Sequence, residues 1–136
     1  MHSDPSRMCE LTTEDSLRRL ASVPIGRIVF THEALPAIRP VNHRVVDGDI
    51  VFRCHEGAAL LTVVEQVVAY EVDQIDAGTH TGWSVIVTGK ASLVEDPDDI
   101  SRYEQVVRPW VDLPMARVIR ILPEFVTGFE LIDRDR

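Results

Sequence analysis

The chain has 136 residues with a formal net charge of −8, and 45% of its residues are hydrophobic. This length suits one domain, able to bury roughly two-thirds of its unfolded surface without a disulfide or a metal. The acidic balance repels phosphate backbones and argues against nucleic acid as a partner. No apolar run approaches the ~20 residues of a membrane helix, and the polar residues 1–7 do not resemble a signal peptide.

The cysteine content agrees with an intracellular location. Cys9 and Cys54 are isolated thiols, so they form neither a Cys-x-x-Cys motif nor a disulfide framework. A reducing compartment suits such a chain best. We therefore expect a soluble cytoplasmic protein with no membrane partner.

Hydrophobic periodicity and turn residues predict many strands and few helices. Thr12 or Thr13 caps a first helix that Pro24 ends, and Asp47-Gly48 between β-branched runs is a strong hairpin signal. Pro97 opens a helix that ends before Pro109. In chain order, we predict a helix from 12 or 13 to 22, strands at 25–31, 37–46 and 49–54, a helix at 58–66, strands at 67–75 and 83–94, a helix at 97–107, and two strands within 117–131 that Pro123 separates.

This order of elements determines the fold class. Six or more strands with few, short helices exclude a doubly wound parallel sheet. Residues 83–94 alternate with partly apolar side chains on both sides, as in a barrel wall that is covered on both faces. The sequence predicts a mainly β, closed antiparallel barrel with peripheral helices at residues 11–136, preceded by a flexible tail at residues 1–10.

Several short motifs, in this order along the chain, resemble the pyridoxamine 5′-phosphate oxidase-like superfamily, in its small branch related to nitroimidazole-resistance proteins. They are Arg39-Pro40-Val41-Asn42, Ile50-Val51-Phe52-Arg53, Ala69-Tyr70-Glu71-Val72-Asp73, Gly82-Trp83-Ser84-Val85 with Gly89-Lys90-Ala91, and Pro109-Trp110. The resemblance implies a six-stranded antiparallel split β-barrel with peripheral α-helices. It also implies a homodimer that binds flavin mononucleotide (FMN) in each of two clefts at the subunit interface.

The resemblance places the cofactor against residues of four segments. They are Arg39, Pro40, Val41, Asn42, Phe52, Arg53, Cys54, Trp83, Ser84 and Trp110. Guanidinium groups suit the phosphate and apolar walls suit the flavin ring, while a helix beginning after Gly57 would add backbone N–H donors. Read without the family, the two arginines form cross-strand salt bridges, the two tryptophans belong to the core or an interface, and Asn42 bonds a neighbouring backbone group.

Two positions depart from the family pattern. The family often has a lysine near the flavin phosphate, where this chain has Ala58-Ala59, so one phosphate donor is missing. The last strand reads Gly128-Phe129-Glu130 where the family often has Gly-Arg, so a second basic residue is lost, and the carboxylate of Glu130 would repel an anionic ligand if it faced the cleft. Loss of one charged hydrogen bond typically costs about 1.5–3 kcal/mol.

The resemblance implies an FMN-dependent oxidoreductase that transfers hydride to or from a small substrate. The flavin performs the redox step, so no catalytic side chain is assigned. The alternatives are a non-catalytic flavin, deazaflavin or haem binding protein on the same dimeric barrel, and a scaffold with an empty cleft. The histidines lack metal-ligand spacing, so no metal site is predicted, and His43 as an axial haem ligand is a further alternative.

Overall fold

Seven antiparallel strands form one sheet in the computed structural model, which describes residues 6–133. Two α-helices and one 3-10 helix lie between the strands. In chain order the elements are β1 (Arg7–Glu10), α1 (Thr13–Ala21), β2 (Ile25–His32), β3 (Leu35–Val46), β4 (Asp49–Cys54), the 3-10 helix (Ala59–Val63), β5 (Val67–Asp76), β6 (Thr81–Leu93), α2 (Pro97–Val106) and β7 (Arg117–Ile132).

The sheet closes on itself through its last strand. Its order is β1-β7-β4-β3-β2-β5-β6, and β6 pairs again with β7. The six strands from β2 to β7 therefore form a closed ring, which removes the exposed edges of an open sheet. The predicted mainly β fold, a six-stranded antiparallel split barrel with peripheral helices, is confirmed.

The first strand lies outside this ring and was not expected. Residues 1–10 were predicted to be a flexible tail, but Arg7–Glu10 pair with the end of β7, with Cys9 opposite Glu130. Four residues of mixed polarity give too weak an alternation to predict a strand. The strand forms because it pairs with β7, which lies more than a hundred residues away in the chain. Residues 1–5 of the predicted tail lie outside the described residues.

The last strand is continuous, so the predicted break at Pro123 is wrong. The pairing of β6 with β7 shifts register there, because Thr88 lies opposite Phe125 and Gly89 opposite Pro123. The extra residue, Glu124, forms a bulge in which a residue without a backbone N–H is tolerated. Gly89 is required at this point, since a Cβ would overlap the carbonyl oxygen of Leu122.

The helix predicted at residues 58–66 is also wrong, because only Ala59–Val63 form a short 3-10 helix. Its N-cap, Ala58, has no side-chain oxygen to bond the first free N–H groups. Gly57 and Glu65, with φ of 81° and 71°, are in the left-handed region and bracket the segment. The other two helices form as predicted, with Thr12 capping α1 and Asp96 capping α2.

One buried polar pair lies inside the barrel. Leu20 of α1 packs into the interior, and its carbonyl oxygen lies 3.1 Å from Nε2 of His43. A carbonyl oxygen only accepts, so Nε2 carries the proton, and the other ring nitrogen, Nδ1, accepts a hydrogen bond from the hydroxyl of Tyr70. Burial lowers the pKa of His43 and raises that of Tyr70, so both remain neutral.

This pair makes folding sensitive to acid. The pKa of His43 lies below 6.5 in the folded protein and near 6.5 when unfolded, so below pH 6.5 the unfolded chain binds the extra proton. We expect the free energy of unfolding to fall between about pH 7 and about pH 5 by more in the wild type than in His43→Gln. Urea unfolding of both proteins across this range measures the difference.

A comparison with His43→Gln is needed because another group titrates in the opposite sense. Burial, together with the neighbouring Asp73, raises the pKa of Glu71 to about 7. The contribution of Glu71 to the free energy of unfolding is therefore present at low pH and is lost as the pH rises through 7. Parallel pH profiles for the two proteins would show that His43 does not contribute.

Candidate functional site

A cleft of about 590 Å³ lies beside the middle of β3 and the end of β4. The loop after β4 forms a second side, and the segment between α2 and β7, residues 107–116, forms a third and is called the wall loop below. The lining side chains are mostly apolar. They include Ile25, Pro40, Val41, Ala58, Ala59, Leu60, Trp110, Val111 and Met115, with Arg39, Asn42, Arg53, Cys54 and His55 as the polar members.

The structure brings most of the predicted cofactor residues together in this cleft. Those that line it are Arg39, Pro40, Val41, Asn42, Arg53, Cys54 and Trp110. Phe52 and Trp83 point into the barrel core, where they are 0% and 8% exposed, and Ser84 lies half-buried on β6, away from the cleft lining. Successive strand residues face opposite ways, so Phe52 faces the interior when Arg53 faces the cleft.

Sequence reasoning did not identify several other lining residues. Ile25 reaches the cleft because it pairs with Asn42 across β2 and β3. Val111 and Met115 belong to the wall loop, whose apolar residues near Trp110 are the only local signal. That signal was ambiguous, because apolar residues before a strand also fit a buried connection.

The guanidinium of Arg39 lies at the cleft and is uncommitted, in the sense that it has no carboxylate partner among residues 6–133. Its Nη1 donates to the adjacent carbonyl of Ile38 at 2.8 Å. Among residues 6–133, no carboxylate lies within 4.0 Å of this guanidinium. The side chain is exposed, so it can turn toward a bound anion at little cost.

Arg53 differs in that protein groups use its donors. Nε donates to the carbonyl of Met115 at 2.8 Å, and Nη1 donates to that of Val107 at 3.1 Å. Nη2 pairs with Glu104 at 3.3 Å, and the side chain is only 13% exposed. Asn42 acts similarly, because its Nδ2 donates to the carbonyl of Arg108 at 2.9 Å.

The thiol of Cys54, another polar group of the lining, is a poor acid or base at neutral pH. Burial raises the pKa of Cys54 to about 11, despite the nearby charge of Arg117, so its thiol stays protonated at neutral pH. His55, the next residue in the chain, makes a 3.0 Å contact with the carbonyl of Glu56 through its Nδ1. The carboxylate of Glu56 is held by both Nε and Nη2 of Arg117, at 2.6 and 2.9 Å.

The two departures from the family pattern have different outcomes. Ala59 lines the cleft, so the expected lysine is replaced there by a methyl group. Glu130 pairs with Arg19 at 2.8 Å and is not part of the lining, so its charge does not face the cleft.

His43 cannot act as an axial haem ligand in this fold. The residue is 2% exposed, and both ring nitrogens are hydrogen-bonded within the core. It does not line the cleft.

Among the residues that the structure describes, no three His, Cys, Asp or Glu side chains group as metal ligands. No helix in this part of the chain is both long and apolar enough to span a membrane.

Comparisons with known proteins agree with this fold. The family model described as pyridoxamine 5′-phosphate oxidase matches residues 12–130. An uncharacterized protein of Mycobacterium tuberculosis, Rv0080, is 47% identical over 133 residues, which are 93% of this chain and 88% of the relative.

Two solved structures are similar over almost their whole length. A candidate pyridoxamine 5′-phosphate oxidase of Corynebacterium glutamicum is 31% identical with a TM-score of 0.81, covering 93% of this chain and 99% of the other. The FAD binding protein of Mycobacterium smegmatis is 33% identical with a TM-score of 0.76, covering 91% and 99%. The match over residues 12–130, together with these relatives, shows that the chain belongs to the pyridoxamine 5′-phosphate oxidase family.

Proposed function

We propose that the protein is a flavin-dependent oxidoreductase that binds FMN in the cleft beside β3 and transfers hydride to or from a small molecule. The observation that carries the proposal is an apolar cleft with one uncommitted guanidinium, that of Arg39, on its lining. A flat, largely apolar ring with an anionic tail needs these two features. The similar protein of Mycobacterium smegmatis is an FAD binding protein, which supports a flavin as the ligand class.

The residues present fit a flavin with one phosphate anchor. Pro40, Val41 and Trp110 supply apolar surface for the ring, while Arg39 supplies charged donors for the phosphate. Ala59 adds no donor. We therefore expect weaker FMN binding than in a cleft that has both an arginine and a lysine at the phosphate.

Neither Cys54 nor Arg53 is expected to transfer protons in this cleft. The thiol of Cys54 stays protonated because its pKa is about 11, and Arg53 is held by the wall loop. A bound flavin supplies the hydride chemistry itself. The side chains then determine which face of the ring is open, exclude water from it and select the substrate.

The proposed assembly is a homodimer that uses the outer face of the sheet. A groove there is lined by Arg27, Val29, Ile38, Ala69, Glu71, Asp73 and Ile86. Ile38 and Ile86 are 54% and 44% exposed, which is unusual for neighbouring aliphatic residues on a monomer. Pro40 pairs with Arg27 of this groove and also lines the cleft. A second copy seated on the groove would therefore lie next to the cleft.

The proposal is tested by titrating the purified protein with FMN, FAD and riboflavin while following flavin fluorescence. We expect saturable binding of FMN, followed by oxidation of reduced nicotinamide when an electron acceptor is added. Binding without turnover would favour the non-catalytic flavin carrier instead. Absence of binding for all three flavins would contradict the proposal, and the same samples would then be tested with a deazaflavin and with haem. Sedimentation velocity separates the 15.3 kDa protomer from its dimer.

A further inference from the structure

We propose that Arg53 and Asn42 are positioning residues that hold the wall loop, and with it Trp110, against the cleft. Neither residue then binds the cofactor phosphate. The identity of the ligand, a flavin, rests on the proposed function. The two residues would keep the shape of the cleft, and they would affect binding of the flavin ring more than binding of the phosphate.

The hydrogen bonds of Arg53 span almost the whole wall loop. Its guanidinium bonds Val107 at the start of the loop and Met115 near its end, and it also pairs with Glu104 of α2. A planar fork with fixed donor directions can bond two carbonyls at once, whereas an ammonium cannot reproduce this geometry. To bind a phosphate, Arg53 would have to release these partners, which leaves buried acceptors unsatisfied.

Asn42 makes a second, independent attachment. Its side-chain N–H bonds the carbonyl of Arg108, one residue beyond the first attachment point of Arg53. β3 and β4 are paired in the barrel, so both attachments start from rigid strands. Both ends of the wall loop are thereby tied to the same side of the barrel.

Most residues between these ends are exposed, and three of them are large and apolar. Trp110, Val111 and Leu113 are 65%, 50% and 54% exposed, and within the described chain no hydrogen bond ties residues 109–114 to the barrel. A loop of this composition stays in place only if its ends are held. The indole of Trp110 is thus presented as a wall for a flat aromatic ligand, and its position depends on the two attachments.

The test compares Arg53→Lys with Arg18→Lys, because Arg18 is an exposed residue of α1 that does not line the cleft. We expect Arg53→Lys to weaken FMN and riboflavin binding by the same factor, about five- to tenfold. The equal factor is the decisive result, because riboflavin has no phosphate. A loss confined to FMN would show that Arg53 binds the phosphate and would overturn the inference.

A second readout needs no flavin. Fluorescence anisotropy decay reports the local motion of Trp110, and Trp83 serves as a buried internal reference. We expect the fast component to grow in Arg53→Lys and in Asn42→Leu, which removes the other attachment while keeping similar side-chain volume. An unchanged decay in both variants would refute the inference even if flavin binding fails in the wild type. A changed decay without flavin binding in the wild type would support the attachment and contradict only the proposed function.

Discussion

Replacement of Arg39 by alanine is expected to weaken FMN binding by roughly 10- to 150-fold, the cost of about 1.5–3 kcal/mol for a charged hydrogen bond. Arg39 is the cleft guanidinium without a carboxylate partner among the described residues, and the neighbouring Ala59 offers no substitute donor. Riboflavin binding should remain within about twofold of the wild type, because its ring contacts other residues. Isothermal titration calorimetry with both ligands measures the two effects.

The matched control is Arg44→Ala, which removes an exposed arginine of the same strand that does not line the cleft. It should leave both affinities unchanged. Arg39→Lys keeps the charge without the planar fork, so its FMN affinity should fall between those of the wild type and Arg39→Ala. Equal losses for FMN and riboflavin in Arg39→Ala would show that Arg39 acts on the ring or on the fold, and the phosphate would need another anchor.

Replacement of Gly26 by alanine should lower the free energy of unfolding by about 1–3 kcal/mol or more, since about 1–3 kcal/mol is the usual cost of overpacking a core. An added Cβ would lie 2.5 Å from both Cζ and the hydroxyl oxygen of Tyr70. Tyr70 is fully buried, and its hydroxyl is bonded to His43, so the ring has no free space into which it can move. Urea unfolding at neutral pH measures the loss.

Gly78→Ala provides a control for the general effect of replacing glycine. The added methyl group would lie 3.1 Å from the Asp76 carboxylate oxygen that accepts hydrogen bonds from the N–H groups of Gly78 and Thr79, in an exposed turn, so a much smaller loss of stability is expected than for Gly26→Ala. The clash also predicts that the effects of mutations at Gly26 and Tyr70 on stability are not additive. Gly26→Ala should cost less when Tyr70→Leu is already present, because the ring is gone. Additive losses in that double mutant would exclude the clash with Tyr70 as the cause.

Local sequence signals predicted most of the barrel. The Asp47-Gly48 turn and the alternation of residues 83–94 identified β3, β4 and β6 because these signals act over a few residues. One prediction failed where distant pairing decided the conformation, and another failed where local capping was absent. Pro123 does not end a strand, because it lies at the bulge opposite Gly89, where a residue without a backbone N–H is tolerated. Residues 58–66 do not form an α-helix, because the segment lacks a cap and has left-handed residues near both ends.

The sequence by itself determined the fold class, the family resemblance and seven of the fifteen residues that line the cleft, since these depend on short motifs and strand alternation. It could not assign different roles to Arg39 and Arg53, because both are arginines on neighbouring strands. Only the tertiary structure brings Val107 and Met115 within reach of Arg53, more than fifty residues away in the chain, and leaves Arg39 without such partners among residues 6–133. A guanidinium's role depends on which acceptors surround it, and here the closure of the barrel sets those neighbours.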